Sequence, residues 1–178
     1  AADQAAVDEM RKELNTIKMR GKIVIGEGEL DEAPMLYINE EVGTRTGEEF
    51  DIAVDPLEGT NFIAKNLPSA LSVLAITRKG NLLHAPDTYM EKIAIGANLP
   101  ENILDLDFGV KKNIELLSEA KNVNPNKLTA CVLKRPRHTE IIKTLNKMGV
   151  KINFISDGDV SGAILVADPK KKPIDIYL

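Results

Sequence analysis

The sequence predicts an α/β protein whose first half is α+β and whose second half is a parallel βαβαβ unit. Two observations support this prediction. From residue 127 onward, apolar runs of strand length alternate with helical stretches, an order that favours a parallel sheet with right-handed crossovers. Before that point, strands and helices follow one another without regular alternation. The 178 residues, 43% of them hydrophobic, provide enough apolar material for a packed core.

The first half begins with a helix that extends to about residue 17. Its apolar residues recur at helical spacing: Val7, Met10, Leu14 and Ile17. Short runs rich in Val, Ile and Leu then predict strands between turn residues. The expected strands are 22–25, 50–55, 70–77, a hairpin partner at 82–84 and 89–95. In the strand 50–55, Asp51 and Asp55 should lie on the face opposite Phe50, Ile52 and Val54.

The second half follows a polar junction at 121–126, which ends a helix predicted over 111–121. The elements expected after it are strand 128–133, helix 137–148, strand 150–155, helix 160–166 and strand 174–178. We therefore divide the chain at this junction. We expect residues 1–121 to form one subdomain and residues 122–178 to begin a second α/β subdomain.

Composition and charge exclude several classes of function. The net charge is −4, aromatic residues make up 4% and there is no Trp, so the chain has neither a basic field nor stacking platforms for nucleic acid. The lone Cys131 lies in an apolar run and should be buried, without an intrachain disulfide. One Cys and two His argue against a zinc site. No apolar stretch is long enough for a membrane and no leader opens the chain, so we expect a cytoplasmic protein.

The segment 55–61 carries the clearest chemical signal. Asp55 and Glu58 flank a Pro at the end of an apolar strand, and Gly59-Thr60 follows at the expected start of a helix. Carboxylates are oxygen ligands of the kind that Mg²⁺ and Mn²⁺ bind, and backbone N–H groups at a helix start can hold a phosphate. This favours metal-assisted phosphate chemistry. The alternative is an acidic turn in which Asp55 serves as a cap.

Two further acidic positions precede this segment. The run 26–32 follows a strand and alternates glycines with carboxylates, which lets the backbone approach a ligand closely. Its carboxylates are Glu27, Glu29, Asp31 and Glu32. Asp3 stands where it could cap the first helix, which is the simpler interpretation of that residue. Together with Asp55 and Glu58, these residues could hold two divalent cations, as two-metal phosphatases do.

Basic and acidic residues follow two strands of the second half. Arg135 and Arg137 come after strand 128–133, and Asp157 and Asp159 come after strand 150–155. Carboxyl ends of neighbouring parallel strands are where open α/β sheets bind ligands. Arginine can hold a phosphate with two hydrogen bonds, and Asp can accept hydrogen bonds from sugar hydroxyls. Ordinary helix capping by either Asp is the alternative.

These motifs resemble the bacterial class II fructose-1,6-bisphosphatases, in order and through essentially the whole chain. The matching runs are 23–29, 31–38, 51–60, 85–87 with 89–90, 135–138 and 157–160. The run 55–60 is also the signature of the wider lithium-sensitive phosphatase superfamily, which includes inositol monophosphatases. The resemblance implies a layered α/β sandwich and dependence on Mg²⁺ or Mn²⁺. Chains of that family are nearly twice as long and have a further metal ligand beyond Leu178, so we expect this chain to be an incomplete portion.

The resemblance also implies a role for each matching residue. Two divalent cations would be bound by Asp3, Glu27, Asp55 and Glu58. Thr60, assisted by Asp31, would orient and activate the attacking water, and the Gly59 and Thr60 amides would hold the 1-phosphate. The implied substrate-binding set is Glu58, Gly59, Thr60, Tyr89, Arg135, Pro136, Arg137, Asp157, Gly158 and Asp159.

The implied reaction is hydrolysis of the 1-phosphate of fructose 1,6-bisphosphate to fructose 6-phosphate, in gluconeogenesis and glycerol metabolism. Within the superfamily the alternatives are a bifunctional fructose/sedoheptulose bisphosphatase and an inositol-type monophosphatase. From a different class, the chain could be a non-catalytic phosphosugar- or metal-binding fragment. We expect a homo-oligomer whose partner is a small sugar bisphosphate, with no nucleic-acid or membrane partner.

Overall fold

The structure, a computed structural model, describes residues 2–27, 35–84, 86, 88–168 and 173–178. The chain divides into two compact units, Ala1–Thr88 and Tyr89–Leu178. Each unit combines helices with a four-stranded sheet that contains parallel strands, which confirms the predicted α/β class. No helix in the described ranges is both long and apolar enough to cross a membrane.

The described residues of the first unit include two α-helices and one mixed sheet. Its elements are α1 (Ala2–Leu14), β1 (Arg20–Ile25), β2 (Glu41–Val42), β3 (Glu49–Glu58), α2 (Thr60–Ala64) and β4 (Leu71–Arg78). The strand order is β2–β1–β3–β4, in which β1 and β3 are parallel and the other two pairs are antiparallel. Because parallel neighbours end at the same edge of a sheet, Gly26 and Glu27, which follow β1, lie at the edge where β3 ends.

The core of the first unit lies between α1 and one face of this sheet. The buried residues that α1, β1 and β3 contribute are Val7, Leu14, Ile23, Ile52 and Val54. Asp51 alternates with the apolar residues of β3 and accepts a hydrogen bond from the Gly80 backbone N–H at 2.6 Å. The two-faced pattern predicted for this strand is thus confirmed.

Three predictions for this part of the chain are wrong: the end of the first helix, the hairpin and the extent of the strand that follows it. Helix α1 ends at Leu14, and Ile17 lies in the following turn with 49% of its surface exposed. Residues 82–84, expected to form a hairpin partner, are not in a strand, and β4 pairs with β3 at the edge of the sheet. The strand expected at 89–95 is confined to Ala94–Ile95. No residue described between Arg78 and Ala94 belongs to a strand.

The second unit has the predicted βαβαβ order. Its elements are β5 (Ala94–Ile95), α3 (Gly109–Ala120), β6 (Thr129–Leu133), α4 (Thr139–Lys147), β7 (Lys151–Ile155), α5 (Asp159–Ala167) and β8 (Ile176–Tyr177). The strand order is β5–β8–β6–β7, and β6 is parallel to both β7 and β8. The chain therefore reverses its direction of progress through the sheet after β7, as in doubly wound folds.

Strand β6 separates two cores in this unit. Ala130 and Val132 face a core that includes Ile114 and Leu117 of α3 and Leu145 of α4. Cys131 faces a second core with Val166 of α5 and Tyr177 of β8, which confirms its predicted burial. Helix α3 packs into the first of these cores and so belongs to the second compact unit, Tyr89–Leu178. The predicted division into a metal- and phosphate-binding subdomain, residues 1–121, and an incomplete subdomain that binds the sugar and the distal phosphate, residues 122–178, stays a prediction.

Candidate active site

Carboxylates that were predicted from the sequence as metal ligands lie at one edge of the first sheet. Glu27 follows the end of β1, and Asp55 and Glu58 lie in the last part of the adjacent parallel strand β3. Near this edge β1 contains an extra residue, because Ile23 lies opposite Ile52 whereas Ile25 lies opposite Ala53. The irregularity bends the end of β1 just before Glu27.

A second bulge lies between Asp55 and Glu58. Asp55 lies opposite Val73 of β4, whereas Glu58 lies opposite Leu71, so β3 uses one residue more than β4 over this interval. Residues three positions apart in a regular strand point to opposite faces. The extra residue compensates for this odd spacing, and both carboxylates are opposite residues that share one face of β4. The Glu58 Oε2 atom is buried.

Three of the predicted metal ligands interact electrostatically. Burial raises the pKa of Glu27 above its ordinary value, and the nearby charges of Asp55 and Asp3 raise it further. Asp3 lies inside the first turn of α1 and not ahead of it, so it does not act as the N-cap that was the simpler interpretation. The contact of α1 with the sheet thus brings its first turn within electrostatic reach of Glu27. A cation would relieve this mutual repulsion.

The described residues do not form a finished coordination shell. Among them, no three His, Cys, Asp or Glu side chains are close enough together to hold a metal ion. Charges influence one another over longer distances than metal–oxygen bonds, which explains why the pKa of Glu27 still responds to Asp55 and Asp3. Asp31, Glu29 and Glu32 lie outside the described residues.

Gly59 and Thr60 connect this edge to α2. Gly59 occupies the N-cap position with φ of 84°, a left-handed conformation that glycine adopts without strain. A Cβ atom at this position would lie 2.7 Å from the Phe62 ring, so the turn also needs glycine for space. Thr60 is the first residue of α2 and follows Gly59, which occupies the N-cap position. Thr60 therefore does not occupy the N-cap position of α2.

The second unit contains a cleft of about 280 Å³ at the carboxyl ends of β6 and β8. Tyr89, Arg137 and Asp159, all predicted to bind substrate, line it. Arg137 belongs to a 3₁₀ turn, Pro136–His138, that follows β6, and Asp159 begins α5 after β7. Since β6 and β7 are adjacent and parallel, the prediction that these two segments follow neighbouring strand ends is confirmed.

The polar side chains of the cleft interact closely. The Arg137 guanidinium carbon lies 4.1 Å from the centroid of the Tyr89 ring. Burial of Asp159 opposes its ionisation, but hydrogen bonds from Tyr177 and Lys92 and the charges of Lys92 and Arg137 outweigh burial and lower its pKa. Lys92 Nζ lies 3.0 Å from Asp159 Oδ2. The cleft thus presents a fixed carboxylate beside two cations.

Arg135 and Asp157 interact with each other and are not among the residues that line this cleft. Arg135 Nη2 lies 3.3 Å from Asp157 Oδ1, and its Nη1 donates a hydrogen bond to the Ser156 carbonyl at 2.7 Å. This pair links the segments that follow β6 and β7. Gly158, with φ of 86°, is the N-cap of α5, so neither Asp157 nor Asp159 has the capping role considered from the sequence.

Sequence reasoning missed two residues of the cleft, Lys92 and Tyr177. Lys92 precedes a short apolar run that was interpreted as part of a strand, and Tyr177 lies in the last apolar run. Neither stands in a motif. Only the fold, which brings both to the start of α5, reveals their contact with Asp159.

Comparison with known proteins identifies the family. Over residues 1–178 the chain matches the family described as "Bacterial fructose-1,6-bisphosphatase, glpX-encoded". The chain belongs to this family. The resemblance inferred from the motifs is thereby confirmed.

Several curated relatives are similar to the chain. Fructose-1,6-bisphosphatase class 2 of Haemophilus influenzae is 46% identical over 169 residues, which cover 95% of this chain and 50% of the relative. D-fructose 1,6-bisphosphatase class 2/sedoheptulose 1,7-bisphosphatase of Synechocystis sp. is 47% identical over 178 residues, covering 93% and 51%. The protein of the same name from Synechococcus sp. strain CC9311 is 49% identical over 163 residues, covering 92% and 48%. The chain therefore spans about half the length of the curated relatives it matches.

Proposed function

We propose that this chain provides the metal- and substrate-binding residues of a phosphoric monoester hydrolase that converts fructose 1,6-bisphosphate to fructose 6-phosphate and phosphate. The observation that carries the proposal is the shared electrostatic field of Asp3, Glu27 and Asp55 at the sheet edge that leads through Glu58 into Gly59 and Thr60. Family membership and the names of the relatives agree with it.

Two divalent cations, Mg²⁺ or Mn²⁺, would be held by Asp3, Glu27, Asp55 and Glu58. The raised pKa of Glu27 supports this assignment, since a carboxylate crowded by other carboxylates gains most from a nearby cation. Oxygen donors and the absence of His or Cys from the set suit these two metals. When bound, such ions neutralise phosphate charge and lower the pKa of water.

Thr60 and Asp31 would prepare the water that attacks the 1-phosphate. The Thr60 hydroxyl would orient this water and Asp31 would accept its proton, while the Gly59 and Thr60 amides would donate hydrogen bonds to the phosphate oxygens. The exposed position of Thr60 at the start of α2, where it is not the cap, supports this role. Attack in line with the leaving group would release fructose 6-phosphate.

The second unit would bind the sugar and the distal 6-phosphate. Tyr89, Arg137 and Asp159 would line that site, because they line the cleft at the strand ends. Arg135 and Asp157 would complete it with the Pro136 and Gly158 backbone. A guanidinium beside an ionised carboxylate suits a phosphate next to sugar hydroxyls. The proposed setting is cytoplasmic gluconeogenesis and glycerol metabolism, in a homo-oligomer without nucleic-acid or membrane partners.

A second candidate is bifunctional hydrolysis of fructose 1,6- and sedoheptulose 1,7-bisphosphate. The names of the cyanobacterial relatives favour it. The two substrates share the 1-phosphate and differ by one carbon, so the chemistry proposed for the first unit would apply to both.

The deciding experiment measures phosphate release from fructose 1,6-bisphosphate by the intact gene product, with and without Mn²⁺. We expect metal-dependent release of one phosphate and formation of fructose 6-phosphate. Parallel assays with sedoheptulose 1,7-bisphosphate and inositol 1-phosphate distinguish the bifunctional and inositol-type alternatives. Binding of Mn²⁺ or fructose 6-phosphate without any turnover would instead indicate a non-catalytic binding protein.

A further inference from the structure

The Asp159 carboxylate is held at both oxygens. The Tyr177 hydroxyl donates a hydrogen bond to Oδ1, and the Lys92 ammonium donates one to Oδ2 at 3.0 Å. Two donors on different elements fix both the position and the rotation of a carboxylate, which a single donor does not. Asp159 is therefore oriented before any ligand enters the cleft.

The position of Tyr177 depends on a glycine of α5. Tyr177 has only 2% of its surface exposed, and its ring lies against Gly162, the residue one helical turn after Asp159. A Cβ atom at Gly162 would lie 2.5 Å from Tyr177 Cε2. Glycine thus allows the ring to pass α5 and reach the carboxylate. This arrangement places a buried hydroxyl at the cleft without a polar sequence motif.

The charges around Asp159 suit an anionic sugar. Lys92 and Arg137 both lower the pKa of Asp159 against the effect of its burial, so the carboxylate stays ionised and can accept hydrogen bonds from hydroxyl groups. A lone carboxylate would repel a phosphate bound nearby. Lys92 and Arg137 offset the charges of Asp159 and of Glu91, which also lines the cleft, and so reduce the repulsion of a phosphorylated ligand.

We propose that Lys92 and Tyr177 are positioning residues, which act through Asp159 to set the affinity of the cleft for the sugar part of a phosphosugar. This inference rests on the proposed function, since it takes a sugar phosphate as the ligand of the cleft. It adds Lys92, from the segment before β5, and Tyr177, from β8, to the site that Tyr89, Arg137 and Asp159 line. Neither residue takes part in the hydrolytic step.

The test uses Tyr177→Phe, Lys92→Met and Lys92→Arg in the intact gene product, with fructose 1,6-bisphosphate and saturating Mn²⁺. Tyr177→Phe keeps the ring and removes one donor, so KM should rise roughly three- to tenfold while kcat changes little. Lys92→Met should raise KM at least as much, and Lys92→Arg should restore part of the loss. Lys111→Met is the matched control, because Lys111 is an exposed lysine of the same unit, 3.8 Å from Glu115 and outside the lining of the cleft.

Unchanged KM in both Tyr177→Phe and Lys92→Met would overturn the inference, as would losses of kcat and melting temperature without a change in KM. If the unmodified protein releases no phosphate, the proposed function fails, and calorimetric titration with fructose 6-phosphate then decides this inference separately. Weaker binding by the two variants than by the unmodified protein and Lys111→Met supports it. Equal binding by all four proteins, or no binding by any, contradicts it.

Discussion

The Arg137 guanidinium lies over the ring of Tyr89, with 4.1 Å between the guanidinium carbon and the ring centroid. Tyr89 has 79% of its surface exposed, and cation–π contacts at exposed sites contribute only about 0.5–1 kcal/mol. The contact therefore adds little to folding. The contact does restrain the planar, charged guanidinium of Arg137 at the cleft. The side chain therefore loses less conformational entropy when a ligand binds, which favours a role in ligand recognition.

We predict that Arg137→Ala raises KM for fructose 1,6-bisphosphate with a smaller change in kcat. The lost charge-assisted contact corresponds to about 1.5–3 kcal/mol, and the distal phosphate does not react. Arg137→Lys should recover only part of the affinity, because an ammonium cannot bind phosphate through a planar fork. Steady-state kinetics on the three proteins test this. A collapse of kcat at constant KM would place Arg137 at the reacting centre.

A second prediction concerns Asp55 as a metal ligand. Asp55→Asn keeps the shape of the side chain and removes a charge, so activity should fall by orders of magnitude and the Mn²⁺ concentration needed for half-maximal activity should rise. Asp51→Asn is the control on the same face of β3, because Asp51 accepts a backbone hydrogen bond from Gly80. It should lower the melting temperature without changing the metal requirement. Near-normal turnover of Asp55→Asn at ordinary Mn²⁺ contradicts the assignment.

Thr60 allows a test of chemistry against stability. Since Thr60 does not cap α2, Thr60→Ala should leave the melting temperature nearly unchanged while kcat falls strongly. Thr60→Ser keeps the hydroxyl and should keep much of the activity. If Thr60 stabilised the helix as a cap, Thr60→Ala would cost about 1 kcal/mol of stability. Turnover and thermal melting are measured on both variants, and a loss of activity that only follows a loss of folded protein refutes the catalytic role.

The raised pKa of Glu27 predicts how stability depends on pH in the absence of metal. As pH rises above the ordinary pKa of glutamate, the unfolded chain loses this proton before the folded protein does. The free energy of unfolding should therefore fall between the ordinary pKa and the raised one, and it should stay lower above that range. Glu27→Gln should remove this component.

Urea denaturation of both proteins, with a chelator present, at several pH values from about 4 to 7 measures the effect. The quantity of interest is the difference between the two proteins, because other carboxylates titrate in both. The free energy of unfolding of Glu27→Gln should rise relative to that of the unmodified protein as pH rises through this range. Stability curves that stay parallel over this range would show that Glu27 is not crowded by Asp55 and Asp3.

Local patterns predicted most of the fold, because apolar periodicity is a property of neighbouring residues. The runs around Ile52 and Cys131 indicated buried strands, and both residues are fully buried. The predicted hairpin after β4 was wrong: a run of Val, Leu and Ile predicts a strand but does not identify its partner, and β4 pairs with β3, which precedes it. The prediction placed the end of α1 at Ile17 because apolar residues keep helical spacing up to that position. In the structure the helix ends at Leu14 and the chain turns after it.

The site divides in a similar way. Residues in compact motifs, such as Asp55 and Arg137, were found because their chemistry is concentrated in a few consecutive positions. Lys92 and Tyr177 are separated from each other and from Asp159 along the chain, and only folding brings the three side chains together. Contacts of this kind leave no trace in local composition.

The bulge between Asp55 and Glu58 makes the number of residues between them a requirement of the site. Deletion of a single residue there would straighten the strand and shift every later position, including Gly59, relative to β4. Within this stretch, evolution should therefore accept exchanges of side chains more readily than insertions or deletions.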